Sequence, residues 1–405
     1  MHRKDIPLSI LSLEKMFMQL ENWGQDPEDS RFGDLSKLVT QNLKFVLEES
    51  FEWEVKHKTG CSLYARTSNR QDYRNGYRTR DILTRFGRLE DVKVPRLRYS
   101  GFVPSILAPG RLALPDVEEL TAKCLLCGAS RREVVEMLTL VLGYPPCGSL
   151  LARVQSQLDR QADEFRNRQL AKVYKYLFID GICVKIKDGR LAKDWMILIA
   201  VAIDENGYKE VIGYTRSKKE SAAAWRRLLN QLVERGLDYK KLDLVISDDS
   251  AAIALAVDDV FGDDVAHQLC WAHRMARLAD VVDEKYRLEC VGDMRQVYQA
   301  KNQAQALKAY RRWVSKWAKR YSGFASEIEK DLGKLLSFFS CPKTHWSYIR
   351  TNNPIERLNE DIRSRSYGWA GFQNRESCYR LLYGLFWQRN NDWKENPKLD
   401  FTHSY

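Results

Sequence analysis

Residues 174–217 read YKYLFIDGICVKIKDGRLAKDWMILIAVAIDENGYKEVIGYTRS, and this stretch decides the fold. Apolar residues with turn signals at Lys187-Asp188-Gly189 and Glu205-Asn206-Gly207 predict three hairpin-linked strands, Tyr176 to Ile186, Trp195 to Asp204 and Tyr208 to Thr215. Downstream the texture alternates. A helix is expected from Ser221 to Arg235, a strand from Leu242 to Ser247, a helix from Ala251 to Val260, a short strand from Val265 to Leu269, and a helix from Trp271 onward. Antiparallel strands followed by alternating α and β elements specify an α/β unit with a mixed five-stranded sheet flanked by helices. Lys285 to Ser340 is helical in texture and interrupts that unit as an all-helical insertion. Ile349 to Asn391 supplies one or two more helices, and the tail from Pro397 reads as loose.

Upstream of this unit, apolar spacing from Pro7 to His57 predicts two amphipathic helices. Between Arg66 and Arg98 ten basic residues face four acidic ones, with Asn75-Gly76 and Phe86-Gly87 as turn signals, so a small β-hairpin unit with a cationic face is expected. Glu118 to Leu142 and Ser149 to Gln169 read as helices. Gly128-Ala129-Ser130 would be the turn of a helix-turn-helix, with Ser130 capping and Glu133 closing a capping box.

The balance of 65 Lys and Arg against 54 Asp and Glu leaves a charge of +11, which favours polyanions or acidic membranes, ordinary solubility being the blander reading. Nine cysteines, an odd number scattered through a chain with no signal peptide at its start, argue against a disulfide framework and for a reducing cytoplasm. The longest apolar run, Trp195 to Ile203, is too short to cross a bilayer.

Three carboxylates stand out. Asp180 interrupts an apolar strand, where an acidic side chain must be paired, hydrated or metal-bound; the other reading is a strand-end turn cap. Asp248 closes the strand Leu242 to Ser247, at the carboxyl end where α/β sheets bind ligands, but it or its neighbour Asp249 could instead cap the next helix. Glu356 follows Asn353-Pro354-Ile355 as the third residue of a helix, which is also a capping-box position. Glu356, Asn359, Glu360 and Arg363 share one helical face, opposite Ile355, Leu358 and Ile362. Carboxylates on a strand, a strand end and a helix suit two divalent ions about 3.5 to 4 Å apart, of the kind that drives phosphoryl transfer. Oxygen ligands select Mg2+ or Mn2+.

Cys270-Trp271-Ala272-His273 has the spacing of half a zinc site without a second pair nearby. Cys124 and Cys127, three apart in an apolar helix, are expected to face a core. From Lys308 to Tyr321, Lys308, Arg311, Arg312, Lys316, Lys319 and Arg320 occur without an acid, and Tyr310, Trp313, Trp317 and Tyr321 follow helical spacing. The aromatic stripe reads as a core seam, and the basic face could line DNA phosphates.

In their order these segments resemble the Mutator-type transposases of bacterial insertion sequences, from about residue 35 to 390. Tyr73 to Arg78, Thr84 to Gly87 and Val94 to Arg96 resemble the family's N-terminal signature, and Cys124 to Ser149 its helix-turn-helix. Phe178 to Gly181, Ile246 to Asp248, Gln268 to His273 and Asn353 to Asn359 resemble its catalytic segments. Two departures occur: Ala252 with an added Asp249 where the family has Gly, leaving the choice of Asp248 over Asp249 open, and Ala276-Arg277 where it has Arg-Asn.

The resemblance implies an RNase H-like core carrying Asp180, Asp248 and Glu356 as catalytic, metal-binding residues, with Asp249, Cys270, His273, Asn353, Asn359 and Arg363 nearby. The expected division is a helical region at 1–65, a basic hairpin unit at 66–110 and a helix-turn-helix-like DNA-binding domain at 111–170. The catalytic core follows at 171–275 and 346–395, interrupted by a helical insertion at 276–345 and followed by a tail at 396–405.

The implied activity is metal-dependent DNA strand cleavage and strand transfer with two Mg2+ or Mn2+ ions, acting on double-stranded DNA with terminal inverted repeats and on target DNA. A homodimer in the bacterial cytoplasm, without membrane attachment, is expected. DNA contacts are assigned to Arg74, Asn75, Arg78, Arg80, Arg85 and Arg96 in the hairpin, Arg131 and Arg132 in the helix-turn-helix, and Arg311, Arg312, Lys316, Lys319 and Arg320 beyond it. A nuclease or resolvase of similar fold and a catalytically silent DNA-binding regulator are the alternatives.

Overall fold

The computed structural model describes residues 31–62, 65, 68, 70–107, 113–188, 191–366, 372–395 and 399. The chain divides into two compact units, Met1–Leu158 and Asp159–Tyr405. The first of the two expected N-terminal helices and the C-terminal tail lie outside the described residues.

In the first unit, helix α1 (Arg31–Thr59) buries Leu47, Phe51 and Val55 against Ile82, Leu89, Val92 and Val94 of a hairpin formed by β1 (Arg74–Thr84) and β2 (Gly87–Leu97). The strands pair antiparallel from Arg74 with Leu97 to Thr84 with Gly87, so Arg85 and Phe86 make the turn. Asn75-Gly76 does not turn the chain. It lies within β1, where Gly76 at φ 68° accompanies a shift in register between Arg74 and Tyr77. A positive φ strains a β-carbon, so glycine accommodates the irregularity.

Asp72 closes the hairpin's open end, its carboxylate accepting from the backbone N–H groups of Tyr73, Tyr99 and Ser100 and from Ser100 Oγ. Helices α2 (Pro115–Leu126), α3 (Arg131–Leu142) and α4 (Gly148–Asn167) follow. Ser130 and Glu133 form the expected capping box on α3, which ends at Gly143 in the left-handed conformation. Because α2 stops at Leu126, Cys127 is exposed rather than turned to the core, and only Cys124 is partly covered.

The second unit is built on a mixed sheet of five strands in the order β5-β4-β3-β6-β7. Strands β3 (Tyr174–Asp188), β4 (Leu191–Asp204) and β5 (Lys209–Ser217) are antiparallel; β6 (Leu244–Ser247) runs parallel to β3, and β7 (His267–Leu269) parallel to β6. Side chains alternate across β3 and feed two apolar layers. Leu177 and Ile179 pack with Trp225, Leu228 and Leu229 of α5 (Ala222–Glu234) and with Ile253 and Val257 of α6 (Ala251–Phe261). Phe178 and Ile182 share the opposite layer with Ile355, Leu358 and Ile362 of α12 (Asn353–Ser366) and Leu381, Leu382 and Leu385 of α13 (Arg375–Lys394).

Between β7 and α12 the chain is helical: α7 (Trp271–Val281), α8 (Glu284–Tyr298), α9 (Gln303–Trp317), α10 (Ser322–Leu335) and the single turn α11 (Trp346–Ile349). Its apolar residues join the same layer as Phe178 and Ile182. Gln268 and Trp271 both donate to the Leu335 carbonyl, at 3.0 and 2.7 Å, stitching α10 to the end of β7.

Candidate active site at the strand ends

Strand β6 pairs with β3 only from Tyr176 to Phe178. Beyond Phe178 one edge of β3 therefore lies free of β6, and Asp180 occupies that edge just past the point where β6 ends and Asp248 begins. Polar groups at diverging strand ends escape the sheet's apolar layers, which is why ligand sites form there.

Asp180 is 7% exposed and Asn359 3%. Asp180 Oδ1 accepts from the Gly181 N–H at 2.8 Å and Oδ2 from Asn359 Nδ2 at 2.9 Å. Burial, then the Asp248 charge, pushes the Asp180 carboxyl up to about 7. Burial also raises Asp248, although its Oδ1 accepts from Ser250 N–H at 3.1 Å. Both carboxyls are thus held above the usual range, Asp180 in part by the Asp248 charge, so that a nearby cation would favour their ionised forms.

Asp249 points elsewhere. Its Oδ2 lies 3.4 Å from the Arg274 guanidinium and 3.3 Å from that of Arg277. Arg274, buried at 2% exposure, also holds Asp331 at 2.7 Å, so Asp249 belongs to an ion-pair network joining the end of β6 to α7 and α10.

The helix expected to be capped by Asn353 begins there instead, one position early: the Asn352 carbonyl accepts from Ile355 and Glu356, and Asn353 is exposed. Asn352 is fully buried, taking the Ile179 carbonyl at 3.2 Å through Nδ2 and offering its own N–H to Cys270 Sγ at 3.2 Å. Glu356 turns toward His273, with Oε1 3.7 Å from Nδ1, an ion-pair distance too long for a hydrogen bond. His273 is raised to about 9, by Cys270 first and by Glu356 and Asp180 in support, against the cost of burial. Cys270, His273 and Glu356 bring one ligand atom each within 4.8 Å of one another, so the half zinc motif meets the Glu356 helix rather than a second cysteine pair.

The structure thus gathers Asp180, Asp248, Cys270, His273, Glu356 and Asn359, and leaves Asn353 and Arg363 exposed on α12. Glu220 was not singled out in the sequence, yet its charge reaches both Asp180 and Asp248. It lies in a polar run, SKKES, between strand and helix, where neither alternation nor helical period assigns a direction.

Arg78, Arg85 and Arg96 of the hairpin are exposed, as is Asn75. Arg80 is lowered by burial and by the neighbouring charges of Arg78 and Arg153, a crowding of cations. Arg74 instead forms an ion pair with Glu52. Arg131 and Arg132 are exposed on the first turn of α3, and Arg132 pairs with Glu136. On α9, Tyr310, Trp313 and Trp317 are buried, as is Tyr321 after it, so the aromatic stripe is a core seam. Arg311, Arg312, Lys319 and Arg320 are exposed; Lys316 is held by Glu289 and Asp293, and Arg320 lies 4.2 Å over the Tyr286 ring.

Comparison with known proteins agrees in extent. Residues 17–396 match the family model described as transposase, Mutator family. The chain is similar, at 30% identity over 87% of its length and 88% of the relative's, to the transposase for insertion sequence element ISRM5 of Rhizobium meliloti. It is similar, at 30% identity over 87% of its length and 90% of the relative's, to the transposase for element IS406 of Burkholderia multivorans. A third relative, the transposase for element IS905 of Lactococcus lactis, is 25% identical over 90% of this chain. The chain therefore belongs to the Mutator family of transposases.

Proposed function

We propose that this chain is an insertion-sequence transposase, cutting DNA at the element's ends and joining the released strands to a target. The observation that carries this reading is that Asp180 on β3 and Asp248 just past the end of β6 lie where these two strands diverge, with the Glu356 helix docked on Asp180 through Asn359. The second unit is read as an RNase H-like core with residues 276–345 as a helical insertion, and the first unit as the DNA-binding region. The relatives' names, which describe transposases of insertion sequences, support the same activity.

The donor set fits divalent cations. Asp180, Asp248 and Glu356 offer hard oxygen atoms, and a buried carboxyl held at about 7 signals charge that a cation would relieve. Two Mg2+ or Mn2+ ions, when bound, supply an activated water or 3′-hydroxyl and neutralise charge on the leaving oxygen. The protein's part is to hold Asp180 by Gly181 and Asn359, to hold Asp248 by Ser250, and to keep a cationic His273 beside Glu356. Arg78, Arg80 and Arg96 of the hairpin, with Arg131 on α3, neutralise backbone phosphates of the ends. A homodimer would bring two such ends together. Among the described residues no helix is long and apolar enough to cross a membrane.

The test is Glu356→Gln in the full chain, assayed on duplexes carrying the element's ends. End binding should persist and Mg2+-dependent cleavage should vanish. Substantial residual cleavage would remove Glu356 from the site, and no cleavage by the unsubstituted chain on any end would overturn the enzymatic reading.

A further inference from the structure

Strand β3 presents Asp180 to one side of the sheet and Gly181 to the other. On the Gly181 side a β-carbon would stand 3.7 Å from the Glu220 carboxyl carbon and 3.1 Å from Met196 Cε. Glu220 therefore reaches over the one residue of β3 that has no side chain, immediately beside Asp180. Its backbone is placed by the start of α5, where Ser221 Oγ accepts from Ala224 N–H at 3.3 Å. Its Oε1 accepts from Trp225 Nε1 at 3.1 Å, and Trp225 is fully buried. A rigid indole thus fixes one oxygen of a half-buried carboxylate, an arrangement that orients the group rather than leaving it to solvent.

Electrostatics agrees with the geometry: burial is the main cause raising both aspartates, and the Glu220 charge acts upward on each as a smaller one. His273 is the cation that acts downward on both aspartates. Gathering a further anion against two buried aspartates is costly unless a cation completes the set. A separate observation points to an absent partner: Asn359, only 3% exposed, donates to Asp180 while its Oδ1 has no hydrogen-bond partner.

We propose that Glu220 is a fourth carboxylate of the metal site, delivered from the α5 side of the sheet and acting with Asp180 and Asp248 on a shared divalent ion. This rests on the metal-dependent reading above and adds a ligand to it. The ligands would then come from helices on both faces of the sheet, Glu220 just before α5 and Glu356 on the helix opposite.

The experiment measures Mn2+ binding to the full chain without DNA, by calorimetry, for the unsubstituted protein, E220Q, D180N and D248N. Gln keeps an acceptor for the Trp225 indole, so E220Q removes the charge while preserving the local hydrogen bond. Weakening of Mn2+ binding by about tenfold or more in E220Q, with an unchanged metal-free melting temperature, is the expected result. Unchanged Mn2+ affinity in E220Q, while D180N and D248N lose it, would overturn the role of Glu220 and leave the aspartate site standing. Unchanged affinity in all three variants would overturn the metal site itself. Should E220Q fail to fold, Fe2+ bound to the unsubstituted chain answers without a variant, since hydroxyl radicals released with ascorbate and peroxide cut the backbone beside the ion. Cuts flanking residue 220 as well as 180 and 248 support the proposal; cuts at 180 and 248 alone refute it.

Discussion

Asn359 Nδ2 donates to Asp180 Oδ2 at 2.9 Å, and this bond ties helix α12 to the middle of strand β3 across nearly half the chain. Asn359 lies three residues, just under one helical turn, beyond Glu356, so the bond that orients Asp180 also sets the rotation of the helix that presents Glu356. Replacing Asn359 with Ala should lower stability by about 1–3 kcal/mol, the usual cost of a lost buried hydrogen bond, and reduce cleavage far more than end binding. Melting curves and a cleavage assay on the same preparation check this. Cleavage at the wild-type rate would show that the docking bond is dispensable.

The two adjacent aspartates should separate cleanly. Asp248→Asn is expected to abolish cleavage with little effect on folding, because it removes a buried charge that acts against ionisation of Asp180. Asp249→Asn should retain cleavage chemistry but cost about 1–3 kcal/mol, since buried Arg274 loses one of its carboxylates while keeping Asp331. Denaturant titration of both variants decides it, and the reverse pattern would exchange their roles.

The contributions of Asp180 and His273 to metal-free stability should decline as pH rises. Asp180, held at about 7 in the fold, keeps its proton where the unfolded chain has lost it, so its contribution is complete below 3.8 and lost as pH rises through 7. His273, at about 9, acts in the same sense from 6.5 upward. The rise in melting temperature on adding Mg2+ should therefore be larger at pH 8 than at pH 5. Equal shifts at both would argue against ionised carboxylates as the ligands.

His267 works in the opposite direction. Burial depresses it to about 4, and its Nε2 lies 2.8 Å from Ser247 Oγ. The unfolded chain takes up a proton near 6.5 and the fold does not, so stability falls between pH 6.5 and 4, by roughly 3 kcal/mol if the whole depression is expressed. His267→Gln should flatten that part of the stability profile relative to wild type. An unchanged slope would assign the acid sensitivity to other groups.

In the hairpin, Arg78 and Arg96 are exposed whereas Arg74 is tied to Glu52. Removing both exposed arginines should weaken end binding and reduce the slope of log affinity against log salt by about 2, since each DNA phosphate left without its arginine lowers it by about 0.9. Binding measured at several salt concentrations tests it. An unaltered slope would place the DNA on another surface.

Strands, helices and the position of Asp180 in an apolar strand were legible in the sequence because they depend on periodicity and on the cost of burying charge, both local properties. The capping box on α3 was legible for the same reason. Asn75-Gly76 misled because a glycine with positive φ serves a bulge as well as a turn, and only the partner strand distinguishes the two. Asn353 misled by one position because Asn352, buried between β3 and Cys270, takes over the helix start through contacts far away in the chain.

The sequence by itself therefore determined the α/β order, the basic hairpin, the family and the acidic residues available for chemistry. Only the tertiary structure decided which of them meet. The Asp248 charge acts on Asp180, while Asp249 is drawn to Arg274 by ion pairs with α7. Glu220 joins them because β3 outruns β6 and places a glycine beneath it. Convergence of side chains from two faces of a sheet is a property of packing, and no local pattern encodes it.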